Sequence, residues 1–180
     1  SAVLLEGARR VGKSTTAEEF ARAEYDDYIL IDFSIAEQAI KDNFDNIGKP
    51  DTFFRNLFVL TGKTLQKRKS VIIFDEVFVS LDRTNKKKII KLIKQLKTKY
   101  SKTIIIASND INLLYEITDN IIILRKNHIV VSGPTASIYQ DIKLLKDNKI
   151  DIPDLVKFTM LARDKKIKLS YHRDILDLIK

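Results

Sequence analysis

The amino-acid sequence predicts an α/β fold, a three-layer sandwich with a mostly parallel sheet and a small helical extension at the C-terminal end. Short runs rich in Ile, Val and Leu, each as long as a buried strand, alternate with stretches of helical spacing. Three of these runs end in a glycine-rich loop, an Asp-Glu pair and a Ser-Asn-Asp triplet. Because ligands bind at the carboxyl ends of strands in open parallel sheets, these three segments are expected to lie together.

The glycine-rich loop follows the first strand, predicted over residues 2–6, and precedes the first helix, predicted over 13–24. It matches the pattern G-x-x-x-x-G-K-[ST]. Its glycines let backbone N–H groups turn toward phosphate oxygens, and the helix N-terminus adds partial positive charge. Lys13 suits the β- and γ-phosphates, and Ser14 suits Mg²⁺. The predicted nucleotide-contacting residues are Gly7, Ala8, Arg9, Arg10, Val11, Gly12, Lys13, Ser14 and Thr15.

The apolar run Val71-Ile72-Ile73-Phe74 ends in Asp75-Glu76, which indicates a buried strand that delivers two carboxylates to the same edge. We assign Asp75 to the Mg²⁺ site opposite Ser14. Glu76 is assigned as the base that orients and deprotonates an attacking water.

The run over residues 103–107 is predicted to lie between the phosphate-loop strand and the Asp-Glu strand, with Ser108-Asn109-Asp110 at its end. Asn109 would then face the γ-phosphate, as a hydrogen-bonding group that does not titrate. Asn109 also suits the N-cap of a helix over residues 111–117, and the two roles are compatible.

The remaining elements follow from periodicity. Residues 28–32 and 120–124 are predicted strands, and the latter turns into a hairpin with 128–131. Helices are predicted over 34–44, capped by Ser34, and over 52–60, 84–99, 135–145, 153–164 and 170–179. We expect a nucleotide-binding core over residues 1–133 and a helical extension over 134–180.

Composition limits the function classes. The 180 residues hold no cysteine, which excludes disulfides and thiolate chemistry. Net charge is +8, but the lysines are spread over helices without interleaved aromatics, so the nucleic-acid signal is weak. No apolar run is long enough for a membrane span, and no signal peptide opens the sequence, so a cytoplasmic location is expected.

Two families share the resemblance. Residues 2–77, through Gly7-Ala8-Arg9-Arg10-Val11-Gly12-Lys13-Ser14 and the Asp-Glu strand, resemble AAA-type ATPases. Residues 75–180 resemble ABC-type ATPases of energy-coupling-factor transporters, through Leu81-Asp82, the 104–110 segment and the closing hairpin. The resemblance implies a RecA-like P-loop NTPase core of the additional-strand class that carries the Asp-Glu pair.

Departures from both families leave alternatives open. No two of the five glycines are adjacent, so the Gly-Gly signature of ABC ATPases is absent, and Asn109 stands where that family has a histidine. Arg83 and Arg125 are the nearby candidates for an arginine finger. The leading interpretation is Mg²⁺-dependent ATP binding and hydrolysis. The alternatives are a transporter ATP-binding subunit, which self-associates or lies on the membrane through a membrane-protein partner, and a non-hydrolysing remnant or chimera.

Overall fold

The computed structural model describes residues 1–8, 11–66, 69–79, 81–126, 128–167 and 169. Within them lies one six-stranded sheet with the order β2-β3-β4-β1-β5-β6. Only the β5–β6 pair is antiparallel. The strands are β1 (Ala2–Glu6), β2 (Asp27–Asp32), β3 (Ser70–Asp75), β4 (Thr103–Ala107), β5 (Asn120–Arg125) and β6 (His128–Pro134). The predicted mixed α/β sandwich with a mostly parallel sheet is confirmed, and so is the position of β4 between β1 and β3.

Eight α-helices and one 3₁₀ helix connect the strands within these residues. Most predicted helices are present with ends shifted by a residue or two. They are α1 (Lys13–Glu24), α2 (Gln38–Asn43), the 3₁₀ helix (Phe44–Gly48), α3 (Pro50–Thr61), α4 (Arg83–Thr98), α5 (Ile111–Ile117), α6 (Thr135–Gln140), α7 (Ile142–Asp147) and α8 (Asp154–Asp164). In this described part of the chain, no helix has both the length and the apolar character needed to cross a bilayer.

The sheet is buried on both faces, as the alternation of its side chains requires. Val71 and Ile73 point into a small cluster with Ala17 and Ala21 of α1. Their neighbours on β3 point into the larger cluster, which receives buried residues from the other helices. This larger cluster includes Tyr139 of α6, Leu145 of α7 and Val156 of α8, so the C-terminal helices pack onto the core. The boundary at residue 133 stays a prediction.

Three local predictions are wrong. Ser34 does not cap a helix, because its N–H and its hydroxyl both donate to the Asp32 carboxylate, and α2 begins only at Gln38. The helix expected over 135–145 is two helices, since Asp141 interrupts it and caps α7 through Leu144 N–H at 2.9 Å. Asn109 is not the cap of α5, as described below. The helix expected over 170–179 and the hairpin residue Asn127 lie outside the described residues.

Candidate nucleotide-binding site

The phosphate loop leaves β1 at the carboxyl edge of the sheet and leads directly into α1. Gly12 has φ 80°, a left-handed conformation that favours glycine, and the helix begins at the next residue, Lys13. Thr16 N–H donates to the Gly12 carbonyl at 2.8 Å and closes the first helical turn. The strand, loop and helix therefore follow one another as the sequence predicts. Arg9 and Arg10 lie outside the described residues, and their contacts remain predictions.

Gly7 is required for a steric reason. A Cβ atom at this position would lie 2.7 Å from the Leu124 carbonyl oxygen and 2.9 Å from Val11 Cγ2. The start of the loop therefore packs directly against the backbone of β5, and no larger residue fits there without displacement.

Lys13 is buried and its ammonium group closes onto its own loop. Nζ donates to the carbonyls of Gly7 at 2.8 Å and Ala8 at 3.0 Å, and it lies 3.5 Å from Asn109 Oδ1. Its side chain therefore reaches from α1 over the loop to the end of β4. Phosphate contact requires Nζ to exchange these carbonyl acceptors for phosphate oxygens.

Ser14 meets the Asp-Glu strand. Its hydroxyl donates to Asp75 Oδ2, a contact between residues 61 positions apart in sequence. Burial raises the pKa of Asp75, which the hydrogen bond from Ser14 opposes, and the nearby Asp32 carboxylate raises it further. The two residues predicted for the metal site are thus in contact.

Asp32 is a neighbour that the sequence analysis did not assign. It stands opposite Asp75 in the parallel β2–β3 pairing and, like Asp75, it is the last residue of its strand. A carboxylate at the end of a strand adjacent to an Asp-Glu strand was the signal that could have identified it.

Glu76 occupies a left-handed backbone conformation, with φ 51°, immediately after β3. Its N–H donates to the Ala107 carbonyl at 2.9 Å, and its carbonyl accepts from Val79 N–H at 3.0 Å. Non-glycine residues in this conformation are uncommon and concentrate at functional sites. The side chain is only partly buried, so it is accessible to water at the sheet edge.

Asn109 is exposed at the end of β4, next to Lys13. The cap of α5 is its neighbour Asp110, whose carboxylate accepts from Leu113 N–H at 3.4 Å. The amide of Asn109 is thereby left facing the phosphate loop.

Arg125 of β5 does not extend from the site. Its Nη2 donates to Glu6 Oε1 at 3.3 Å and its Nη1 donates to the Leu124 carbonyl at 3.1 Å. Neither this residue nor its partner Glu6 was assigned a site role from the sequence. Arg83, the other candidate finger, lies exposed in the first turn of α4.

A family model described as an AAA domain matches residues 1–136. The chain belongs to this AAA domain family. The match continues well beyond residue 77, where the sequence resemblance turns from one ATPase family to the other, so one family model covers both sides of the Asp-Glu strand.

Curated relatives of this AAA domain are energy-coupling factor transporter ATP-binding proteins. EcfA2 of Mycoplasma mobile is 29% identical over 143 residues, covering 73% of this chain and 46% of that protein. EcfA1 of Clostridium novyi is 28% identical over 114 residues, covering 63% of this chain and 40% of that protein. The chain thus spans less than half the length of these two relatives.

A solved structure shares the fold. CbiO1 from Clostridium perfringens, described as part of the ABC transporter complex cbiONQ, superposes with a TM-score of 0.54 at 16% identity. The alignment covers 88% of this AAA domain and 87% of that chain. The resemblance to a P-loop NTPase with AAA-like and ABC-like features is confirmed.

Proposed function

We propose that the AAA domain binds ATP as its Mg²⁺ complex and hydrolyses it slowly. The observation that carries this proposal is the hydrogen bond between Ser14 and Asp75, because it joins the phosphate loop to the Asp-Glu strand. The proximity of Lys13 and Asn109 supports it from a third strand end. The proposed unit is residues 1–133, and the choice of ATP over other nucleotides rests on the family membership.

The residues fit a Mg²⁺ ion. A serine hydroxyl and a buried carboxylate are hard oxygen donors, and burial without a full counter-charge raises the pKa of Asp75. Among the residues that the structure describes, no group of three or more His, Asp or Glu side chains could hold a metal ion. A pair of protein ligands completed by phosphate oxygens and water is the arrangement that Mg²⁺ takes in nucleotide sites. Bound there, Mg²⁺ would neutralise charge on the β- and γ-phosphates.

The side chains of this chain divide the remaining work. Backbone N–H groups of the loop and Lys13 hold the phosphates, and Asn109 hydrogen-bonds the γ-phosphate or the attacking water. Glu76 accepts a proton from that water as its oxygen bonds to the γ-phosphorus. The bond from that phosphorus to the β,γ-bridging oxygen breaks, which gives ADP and inorganic phosphate.

We expect turnover by the isolated chain to be slow. Arg125 is held by Glu6 and the Leu124 carbonyl, so it does not stabilise charge at the γ-phosphate. An arginine finger is worth roughly 10³–10⁵ in rate. A partner that supplies such a group would accelerate hydrolysis by a comparable factor.

The test combines ligand binding with phosphate release. Mg-ATP at a hundredfold excess over Kd should stabilise the wild type by about 2.7 kcal/mol in thermal unfolding. Lys13→Ala should abolish this shift, and Glu76→Gln should retain it while losing phosphate release. The matched controls are Lys87→Ala and Glu19→Gln, which alter exposed side chains of the same charge. Absence of a shift in the wild type would refute ATP binding, and binding without release would refute hydrolysis.

A second candidate function is that of an ATP-binding subunit of a membrane transporter, located peripherally on the membrane through its partner. The similarity to EcfA1 and EcfA2 favours it, whereas the lack of adjacent glycines speaks against an ABC-type dimer. Mg-ATP-dependent self-association, measured by sedentimentation velocity with Glu76→Gln, would support an ABC-like dimer. A protein that stays monomeric in that experiment would count against it.

A further inference from the structure

Glu6 is a buried carboxylate that the proposed reaction does not use. It is the last residue of β1, it immediately precedes Gly7, and it is only 6% exposed. Burial raises the pKa of Glu6, which the Arg125 guanidinium opposes. A buried charge costs stability unless it is paired, so its presence under the phosphate loop calls for a role.

Arg125 connects this carboxylate to the wall of the loop. One of its terminal nitrogens donates to Glu6 and the other donates to the Leu124 carbonyl. That carbonyl oxygen is the atom nearest to the position of a Cβ on Gly7, at 2.7 Å. One guanidinium therefore holds both the residue before Gly7 and the backbone oxygen against which Gly7 packs.

The C-terminal helices complete the surroundings of Glu6. The Tyr139 hydroxyl of α6 is buried and faces the Glu6 carboxylate, although the two do not reach hydrogen-bond geometry. The Tyr139 ring packs edge-on against Tyr115 of α5, with 5.5 Å between ring centroids. Asp151 adds negative charge nearby. Helices after residue 134 are thereby packed against the base of the phosphate loop.

We propose that Glu6 and Arg125 are positioning residues, a clamp that fixes the first turn of the phosphate loop and so sets its affinity for a nucleoside triphosphate. This inference rests on the proposed function. Neither side chain contacts the phosphates, since that contact belongs to the loop and Lys13. A loop already held in its binding conformation loses less conformational freedom when the ligand binds. Loosening the clamp therefore weakens binding while the groups that perform the chemistry remain.

The variants are Glu6→Gln, Arg125→Gln and the double substitution. Arg22→Gln is the matched control, since Arg22 forms an exposed ion pair with Glu18 at 2.7 Å within α1. We expect each clamp substitution to raise the Kd for Mg-ATP about tenfold, measured by isothermal titration calorimetry. The double variant should bind no more weakly than the weaker single variant, because the two residues act as one unit. Arg22→Gln should bind like the wild type.

Thermal unfolding without nucleotide separates positioning from general stability. Because burial disfavours the ionised Glu6 side chain, Glu6→Gln should melt no earlier than Arg22→Gln. A clamp substitution that leaves Mg-ATP affinity unchanged would overturn the inference. Additive losses in the double variant, or a loss of affinity matched by early unfolding of Glu6→Gln, would do so as well.

Hydrogen exchange without nucleotide tests the clamp independently of ATP binding. Peptides covering residues 5–15 should exchange faster in Glu6→Gln and Arg125→Gln than in Arg22→Gln. Unchanged exchange would refute the clamp whatever the nucleotide experiments give. If exchange accelerates but the wild type fails to bind Mg-ATP, the loop clamp stands while its link to affinity and the proposed function both fall.

Discussion

Replacing single glycines by alanine should separate crowding from backbone strain in the phosphate loop. Gly7→Ala places a Cβ at 2.7 Å from the Leu124 carbonyl oxygen, a backbone atom that yields only if β5 or the loop moves. Overpacking of this kind costs about 1–3 kcal/mol. Gly12→Ala meets no atom within 4 Å, but it forces alanine into φ 80°. That conformation costs roughly 1–2 kcal/mol, partly offset by about 0.4–1 kcal/mol from the stiffer unfolded chain.

Gly48→Ala is the matched control. A Cβ at Gly48 meets nothing within 4 Å, and its backbone is not among the left-handed positions. This substitution should be neutral or stabilise by about 0.4–1 kcal/mol. Urea unfolding without nucleotide should thus rank the free energies of unfolding with Gly48→Ala highest, Gly12→Ala lower and Gly7→Ala lowest. A Gly7→Ala protein as stable as Gly48→Ala would refute the packing of the loop against β5.

Three further predictions concern charge and core packing. Asp75→Asn removes a buried carboxylate whose ionised form burial disfavours, so it should melt no earlier than the wild type at neutral pH while losing the Mg²⁺-dependent part of the ATP-induced shift. Asp119 is partly buried, but Lys97 at 2.7 Å and Ala2 N–H at 2.9 Å bring the pKa of Asp119 below its ordinary value. Its stabilisation is therefore full above the unfolded pKa and is lost as the pH falls through the folded pKa, so Asp119→Asn should cost about 1 kcal/mol or less at pH 7, after screening, and nothing well below pH 4 in urea titrations. Phe53, with no exposed surface, should cost about 3–5 kcal/mol of unfolding free energy as Phe53→Ala, whereas Phe53→Leu should cost far less, and equal costs would contradict its place in the core.

The strands and the loop could be predicted from the sequence because their signals are local. An apolar run of five or six residues followed by Asp-Glu needs no partner to be recognised, and the loop pattern specifies its own turn through Gly12. The order of β4 between β1 and β3 came from family resemblance, and the structure confirms it. Long amphipathic helices such as α4 were recognisable from the spacing of their isoleucines and lysines.

Predictions failed where two nearby polar side chains compete for the same backbone groups. Asn109 and Asp110 both suit a helix cap, and only the structure shows that Asp110 takes it. Ser34 likewise donates to Asp32 two residues earlier, a local alternative to helix capping that sequence spacing does not distinguish. The Glu6–Arg125 pair joins residues 119 positions apart, so no local pattern indicates it.

The interleaved strand order has a consequence for folding kinetics. Ser14 and Asp75 can meet only when β4 fills the gap between their strands, and Lys13 reaches Asn109 across 96 positions of sequence. Non-local parallel pairing of this kind closes large loops before contacts compensate, which slows folding. During synthesis, the phosphate loop therefore precedes any structure that can hold a nucleotide, and it waits for the strands made after residue 100. Nucleotide binding then reports a completed sheet, and added ATP should slow unfolding without accelerating folding.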